Sequence, residues 1–141
     1  MHEYSLAEAI LSAVLDLAKK NAAEEVLEVV VEVGELRLVN VDILKFAFGA
    51  LSKGTPAENA ELVVKTSPAV LKCKACGHKW RISPEDVPEA QRLALHLYGD
   101  LFVNALQCER CGSINYEVLQ GREIRLVRVK VRKREDQGSG N

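Results

Sequence analysis

Four cysteines, arranged as two matched pairs, constrain this chain of 141 residues more than any other feature. The segment Cys73–Gly77 reads CKACG, the segment Cys108–Gly112 reads CERCG, and 31 residues separate Cys76 from Cys108. Each glycine lets the backbone turn back beneath two sulfurs, where a Cβ would be strained. Two such turns can offer four thiolates to one tetrahedral ion, and Zn²⁺ is the usual ion for four sulfur ligands. The pattern therefore predicts a metal site.

The same cysteines limit what such a site can do. Four protein ligands fill a tetrahedron and leave no position open for water, which is typical of structural rather than catalytic zinc. Iron in a rubredoxin-like site and a redox-active pair of disulfides remain alternatives. The N-terminus has no basic segment before an apolar stretch, which argues against a secretory signal and favours the cytoplasm. In that reducing compartment, paired cysteines are more often metal ligands than disulfides.

Charge and apolar content exclude some classes of function. The formal net charge is −1, so there is no global attraction to nucleic acid or to an anionic membrane. No apolar run approaches the roughly 20 residues of a membrane helix. The segment 122–134 is nevertheless rich in arginine and lysine, which keeps a zinc-ribbon nucleic-acid-binding or adaptor protein as the alternative function. A strand with its charged face in water, or a surface for an acidic partner, also explains that segment.

Hydrophobic periodicity predicts an α+β fold. Apolar residues recur at helical spacing over 5–20 and over about 41–52, and Ser5 with Glu8 fits a capping box at the start of the first helix. Alternation predicts strands over 26–33, 61–66 and 122–132, with a bulge where the alternation of the last strand reverses between residues 126 and 127. We expect a small three-stranded sheet packed by two helices.

The cysteine pairs interrupt this arrangement as an inserted domain, similar to a zinc ribbon, that carries all four cysteines. We expect one discontinuous domain over 1–69 and 118–134, a zinc domain over 70–117 carrying an inserted segment 81–107, and a flexible tail over 135–141. A short helix is expected over about 85–97. His78, directly after the first cysteine pair, is expected to be a surface residue, although it could replace a cysteine or donate a hydrogen bond to a sulfur.

The N-terminus carries a second, separate chemistry. The α-amine, the backbone nitrogen of His2 and its imidazole can close two fused chelate rings around one ion, and the amide of Glu3 could supply a fourth nitrogen. Square-planar nitrogen sites favour Ni(II) or Cu(II) over zinc. A histidine at position two is more commonly a solvated residue, so the pattern alone is weak.

Several segments together resemble one family. The opening Met1–Leu6, the triplet Gly34–Leu36, the segments Gly54-Thr55 and Ala57–Leu62, and both cysteine pairs are similar in order and spacing to the HypA/HybF nickel-insertion proteins. The resemblance covers nearly the whole chain, although segment 81–107 is longer than the zinc loops of many bacterial members.

The resemblance implies a non-enzymatic nickel metallochaperone. It implies transferable Ni(II) at Met1, His2 and Glu3, and structural zinc at Cys73, Cys76, Cys108 and Cys111. It also implies delivery of nickel to the [NiFe]-hydrogenase large subunit together with a maturation GTPase and, for some relatives, service to urease maturation. His96 is a candidate additional nickel ligand, and a histidine packed among leucines is the alternative reading. No zincin motif, convincing acid–base pair or phosphate loop points to an enzyme.

Overall fold

The computed structural model of the protein describes residues 2–86, residue 89 and residues 107–133. The predicted helix over 85–97, apart from its first residues, and the predicted tail over 135–141 lie outside this range. Within it the chain forms two α-helices, two short 3-10 helices and six strands. In chain order these are α1 (Glu3–Lys20), β1 (Ala23–Gly34), a 3-10 turn (Glu35–Arg37), α2 (Val41–Leu51), β2 (Glu61–Ser67), β3 (Ala69–Cys73), β4 (Lys79–Ile82), a second 3-10 turn (Pro84–Asp86), β5 (Tyr116–Gln120) and β6 (Ile124–Lys133).

Helix α1 begins earlier than its capping-box signature indicates. Its N-cap is His2, whose carbonyl accepts the Leu6 N–H at 3.1 Å, and Ser5 therefore lies inside the helix rather than at its cap. Glu3 places a negative charge in the first turn, where the helix dipole favours it. The apolar stripe is buried as predicted, except at Leu17, whose side chain is 40% exposed.

Helix α2 packs against α1 and begins at a side-chain cap. The Asn40 carboxamide oxygen accepts the Ile43 N–H at 3.0 Å, which satisfies one of the free donors of the first turn. Leu44, Ala47 and Phe48 are buried at the helical spacing that the sequence predicts.

The three predicted strands form one sheet with the order β2-β1-β6. Strand β1 differs from a half-buried strand, because Val29, Val30 and Val31 are all buried and both of its faces are therefore covered there. At its start Val26 is buried and Leu27 is exposed, whereas the alternation of this strand predicts that Leu27 shares the apolar face of Val29. The half-buried positions of β6 do change parity after Leu126, as its sequence indicates.

A second sheet, with the order β4-β3-β5, carries the cysteines. Both pairings are antiparallel, and Leu71 lies opposite Trp80 on one side and Val118 on the other. Its inner face forms a small hydrophobic core. The buried members are Leu36, Ala69, Leu71, Ile82 and Tyr116, with Leu38, Trp80 and Val118 packed against them.

The turn between β5 and β6 passes very close to the end of β1. The Gly34 N–H donates to the Glu123 carbonyl at 2.7 Å, and the Leu36 N–H donates to the Gly121 carbonyl at 2.9 Å. A Cβ on Gly34 would lie 2.1 Å from the Gly121 carbonyl carbon. Gly121 itself has φ of +110° and faces Ala69, so the approach requires glycine on both sides.

The chain divides into two compact units. The helical unit contains residues 2–31 and 40–64 and, after β5, the strand residues from 126. The cysteine unit contains residues 32–39 and the described parts of 65–125. The domain boundaries expected from the sequence remain a prediction. No helix in the described ranges is long and apolar enough to cross a lipid bilayer.

Candidate metal centre

The first cysteine loop connects β3 to β4 through a pair of backbone hydrogen bonds. The Gly77 N–H donates to the Cys73 carbonyl at 2.9 Å, and the Cys73 N–H donates to the His78 carbonyl at 2.8 Å. Gly77 has φ of +78°, which a residue with a Cβ rarely adopts. The turn therefore aims the sulfurs of Cys73 and Cys76 to the same side, as its glycine predicts.

The second cysteine loop repeats this arrangement. The Gly112 N–H donates to the Cys108 carbonyl at 2.8 Å, the Cys108 N–H donates to the Ser113 carbonyl at 2.8 Å, and Gly112 has φ of +76°. The two loops are also joined through the backbone, where the Lys74 N–H donates to the Asn115 carbonyl at 2.9 Å. Each loop is thus half of one site.

The four sulfurs lie within 4.8 Å of one another. Two of the separations, Cys73 Sγ to Cys111 Sγ and Cys76 Sγ to Cys108 Sγ, are 3.6 Å and 3.7 Å. A disulfide requires about 2.05 Å, and all four cysteines are free. A tetrahedral ion with sulfur bonds of about 2.3 Å gives sulfur–sulfur edges of about 3.8 Å. The thiols therefore fit a metal ion and do not fit disulfides.

The backbone around the sulfurs favours thiolates unequally. The Cys76 N–H, directed at the Cys73 sulfur, lowers the pKa of Cys73 to about 6. Burial opposes ionisation of Cys108, but the N–H groups of Cys111 and Arg110 outweigh it and lower its pKa. The Ser113 N–H favours the Cys111 thiolate, yet the neighbouring Cys73 sulfur and burial prevail and raise the pKa of Cys111 to about 11. Ionisation of all four sulfurs at this spacing would therefore require a cation to offset their mutual repulsion.

His78 lies at the surface beside the first cysteine loop, as the sequence suggests, but its side chain is partly covered and also contacts the second loop. Its Nε2 lies 2.8 Å from Glu109 Oε1, a residue of the other cysteine loop. Its ring stacks on Trp80 at a centroid distance of 5.8 Å and an angle of 7°, and Trp80 meets the Tyr116 ring edge to face. Among the described groups, the cluster of potential ligands consists of the four cysteines and does not include His78.

The predicted nickel ligands are placed only in part. His2 is exposed at the start of α1. The Glu3 carboxylate accepts the Asn40 N–H at 3.2 Å, so this side chain holds α1 to the start of α2. Met1 and His96 lie outside the described residues. The structure therefore anchors residue 3 and leaves the His2 side chain accessible.

The arginines of β6 are paired with glutamates of β1. Arg125 donates two hydrogen bonds to Glu32, at 3.1 and 2.7 Å, and Arg128 donates one to Glu28 at 2.8 Å. Arg132 contacts both Glu24 and Glu25. These pairs partly neutralise the segment that kept a nucleic-acid-binding function open.

Comparison with known proteins decides the family. A model of the family described as "Hydrogenase/urease nickel incorporation, metallochaperone, hypA" matches residues 1–131. The chain belongs to the HypA family. Hydrogenase maturation factor HypA of Pyrococcus horikoshii is 41% identical over 139 residues, which cover 97% of this chain and 100% of the relative. The corresponding factor of Methanothermobacter thermautotrophicus is 38% identical over 96% of this chain and 100% of its own length.

A solved structure shows a similar fold. The solution structure of the Ni metallochaperone HypA from Helicobacter pylori matches 95% of this chain and 100% of its own length, with a TM-score of 0.60 and 25% identity. The α+β fold class and the family expected from the sequence are thus confirmed.

Neither the second sheet nor the contact between His78 and Glu109 is predicted by the sequence. Strand β3 carried a signal, because Ala69, Leu71 and Cys73 alternate with Val70 and Lys72. Strand β4 has four residues, too few for a period to be recognised. The contact between the loops joins polar residues that are 31 positions apart, for which no sequence pattern exists.

Proposed function

We propose that this member of the HypA family binds Ni(II) at its N-terminus and delivers it to the large subunit of a [NiFe]-hydrogenase. The observation that carries the proposal is the match of the family model from residue 1 to residue 131, which includes both the N-terminal segment and the cysteine loops. The description of that family names nickel incorporation into hydrogenase and urease.

The N-terminal ligands proposed are those of Met1, His2 and Glu3. The exposed position of His2 supports this assignment, since its imidazole has no hydrogen-bond partner among the described contacts. The Glu3 carboxylate already accepts the Asn40 N–H, so Glu3 would contribute its backbone nitrogen rather than its side chain. His96 remains a candidate ligand outside the described residues.

The four cysteines are proposed to hold structural zinc. The sulfur separations fit a tetrahedral ion, and the donor set leaves no open position for a substrate. Zinc supplies a cross-link here and no reaction. Iron would fit four sulfurs equally well, so metal analysis of protein purified under reducing conditions must distinguish the two ions.

The proposed partners are a maturation GTPase and the hydrogenase large subunit. Urease maturation proteins are proposed as additional recipients of the nickel. The protein would act in the cytoplasm and would catalyse no reaction of its own, with GTP hydrolysis supplied by the partner. The nucleic-acid-binding alternative is disfavoured, because Arg125, Arg128 and Arg132 are paired with glutamates. Steep salt dependence of binding to random DNA would revive it.

The nickel site is tested by changing only the end of the chain. Untagged protein should bind one nickel ion in a diamagnetic square-planar state, and His2→Ala should abolish this binding. An N-terminal extension of three residues should also abolish it, because the α-amine is then replaced by an amide. The matched control carries the same three residues at the C-terminus and should bind nickel normally. Unchanged nickel affinity after the N-terminal extension would contradict the assignment.

A further inference from the structure

We propose that His78 and Glu109 form a tie between the two cysteine loops that does not involve sulfur, and that this tie slows loss of the metal ion. The inference rests on the proposed zinc assignment and concerns how firmly the site is held. His78 and Glu109 are positioning residues, since neither belongs to the cluster of ligands.

His78 provides a fixed point on the first loop. Its carbonyl accepts the Cys73 N–H at 2.8 Å, which fixes its backbone at the beginning of β4. Its ring is held in turn, because it stacks on Trp80 while Trp80 packs edge to face against Tyr116. Tyr116 is 9% exposed and lies opposite Cys73 in the sheet. The direction of the His78 ring is therefore set by the hydrophobic core beneath the loops.

Glu109 provides the matching point on the second loop. It directly follows Cys108, whose N–H and carbonyl are both bonded within its own loop. The carboxylate reaches across to His78 Nε2 at 2.8 Å, a distance at which a ring N–H donates a hydrogen bond to a carboxylate. The contact therefore requires a proton on Nε2.

The tie matters because few other contacts join the loops. Each loop is closed by its own backbone bonds. Beyond the pairing of β3 with β5 at their bases, the described contacts between the loops are those of the sulfurs, the Lys74–Asn115 backbone bond and the His78–Glu109 pair. Separation of the two loops would remove two of the four sulfurs from a bound ion. A hydrogen bond that spans both loops opposes that separation without occupying a coordination position.

The size of the effect follows from exposure. The Glu109 side chain is 61% exposed and that of His78 is 29% exposed, so the pair is weakened by solvent. Exposed pairs change equilibria by about 1.5- to 5-fold. We expect an increase in the rate of metal release within that range.

The experiment measures zinc release from the full-length, zinc-loaded, reduced protein to an excess of a chromophoric chelator. Glu109→Ala removes the acceptor, and His78→Phe keeps a ring that can stack on Trp80 but lacks the donor. Both variants should release zinc about 1.5- to fivefold faster than the wild type. The double variant should be no faster than the faster single variant, because both changes break one contact. The control Glu117→Ala removes an exposed glutamate from β5 and should behave as wild type.

Two results would overturn the tie: release at the wild-type rate in both single variants, or single effects that multiply in the double variant. Nitrogen-15 spectra of the histidines add a measurement that does not depend on release. His78 should carry a proton on Nε2, and Glu109→Ala should shift its Nε2 resonance; an unshifted resonance contradicts the contact. Purified protein without zinc would contradict the zinc assignment itself, whereas zinc-loaded protein with unaltered release contradicts only the tie.

Discussion

The close approach of β1 to the β5–β6 turn makes Gly34 highly sensitive to a single added methyl group. In Gly34→Ala the new Cβ would lie 2.1 Å from both the carbonyl carbon and the carbonyl oxygen of Gly121, and 2.6 Å from the Arg122 nitrogen. An ordinary contact begins at 3.4 Å, so the turn must move by about 1.3 Å. The obstacles are backbone atoms, which cannot rotate away as a side chain can.

The cost follows from what that movement disrupts. Overpacking against rigid atoms costs about 1–3 kcal/mol. The bonds from the Gly34 N–H to Glu123 and from the Leu36 N–H to Gly121 cross this contact, and losing either costs about 1 kcal/mol more. We expect the free energy of unfolding to fall by about 2–4 kcal/mol. For a chain of this length, that corresponds to a decrease in Tm of roughly 7–13 °C.

Gly49→Ala is the matched control. Gly49 lies within α2, and its added Cβ would meet nothing within 4 Å apart from the helix's own backbone, so the helix propensity of alanine should stabilise the protein by up to about 1 kcal/mol. Urea unfolding followed by circular dichroism, at fixed zinc concentration, measures both variants. If Gly34→Ala unfolds within about 0.5 kcal/mol of the wild type, the close approach does not constrain this position and the reasoning fails.

Three further perturbations test other parts of the structure. Removing the metal with a chelator should make four thiols reactive toward a thiol reagent and should lower the Tm of the protein. Fewer than two newly reactive thiols would contradict a shared four-sulfur site. The Ser67 hydroxyl and the Gly121 N–H donate to the Glu123 carboxylate and hold the pKa of this group below its ordinary value of 4.5. The ionised Glu123 carboxylate therefore stabilises the fold fully above pH 4.5. This stabilisation is lost as the pH falls through the lower pKa of the folded protein. Glu123→Gln should therefore lower the unfolding free energy at pH 7, and its difference from the wild type should shrink in acid; an equal deficit at pH 7 and pH 3 would refute this. Asn40→Ala should cost about 0.5–2 kcal/mol, because the Ile43 N–H loses its cap, and an unchanged urea midpoint would contradict that role.

The parts of the fold that sequence reasoning predicted are those in which burial follows a regular period. Leu44, Ala47 and Phe48 of α2 are buried at helical spacing, and the arrangement of β2, β1 and β6 in one sheet followed from their alternation. The cysteine cluster was predictable for a different reason. Because few kinds of site contain cysteine pairs with a following glycine, residue type and spacing identify the chemistry of the site without any knowledge of the fold.

The errors arose where a local pattern competed with tertiary contacts. Ser5 and Glu8 form a credible capping box, yet the helix starts at Glu3, where the Glu3 carboxylate accepts a hydrogen bond from the Asn40 N–H of another element. Likewise, alternation placed Leu27 inward, but the start of β1 buries Val26 instead, where the Val26 N–H donates to the Pro56 carbonyl. Such contacts join distant residues, and no short window of sequence records them.

The hydrogen bond between Glu3 and Asn40 limits how far His2 can extend from the start of α1. Residue 3 is fixed at the start of a helix of 18 residues, and His2 lies directly before it. Two fully extended residues span at most about 7 Å. A donor atom on His2 therefore stays close to the start of α1 and cannot reach a distant protein across solvent. If nickel is bound there, a recipient must bring its own ligands to the surface around the first turn of α1. Contact between the two proteins, and not the reach of a flexible segment, would then set the rate of exchange.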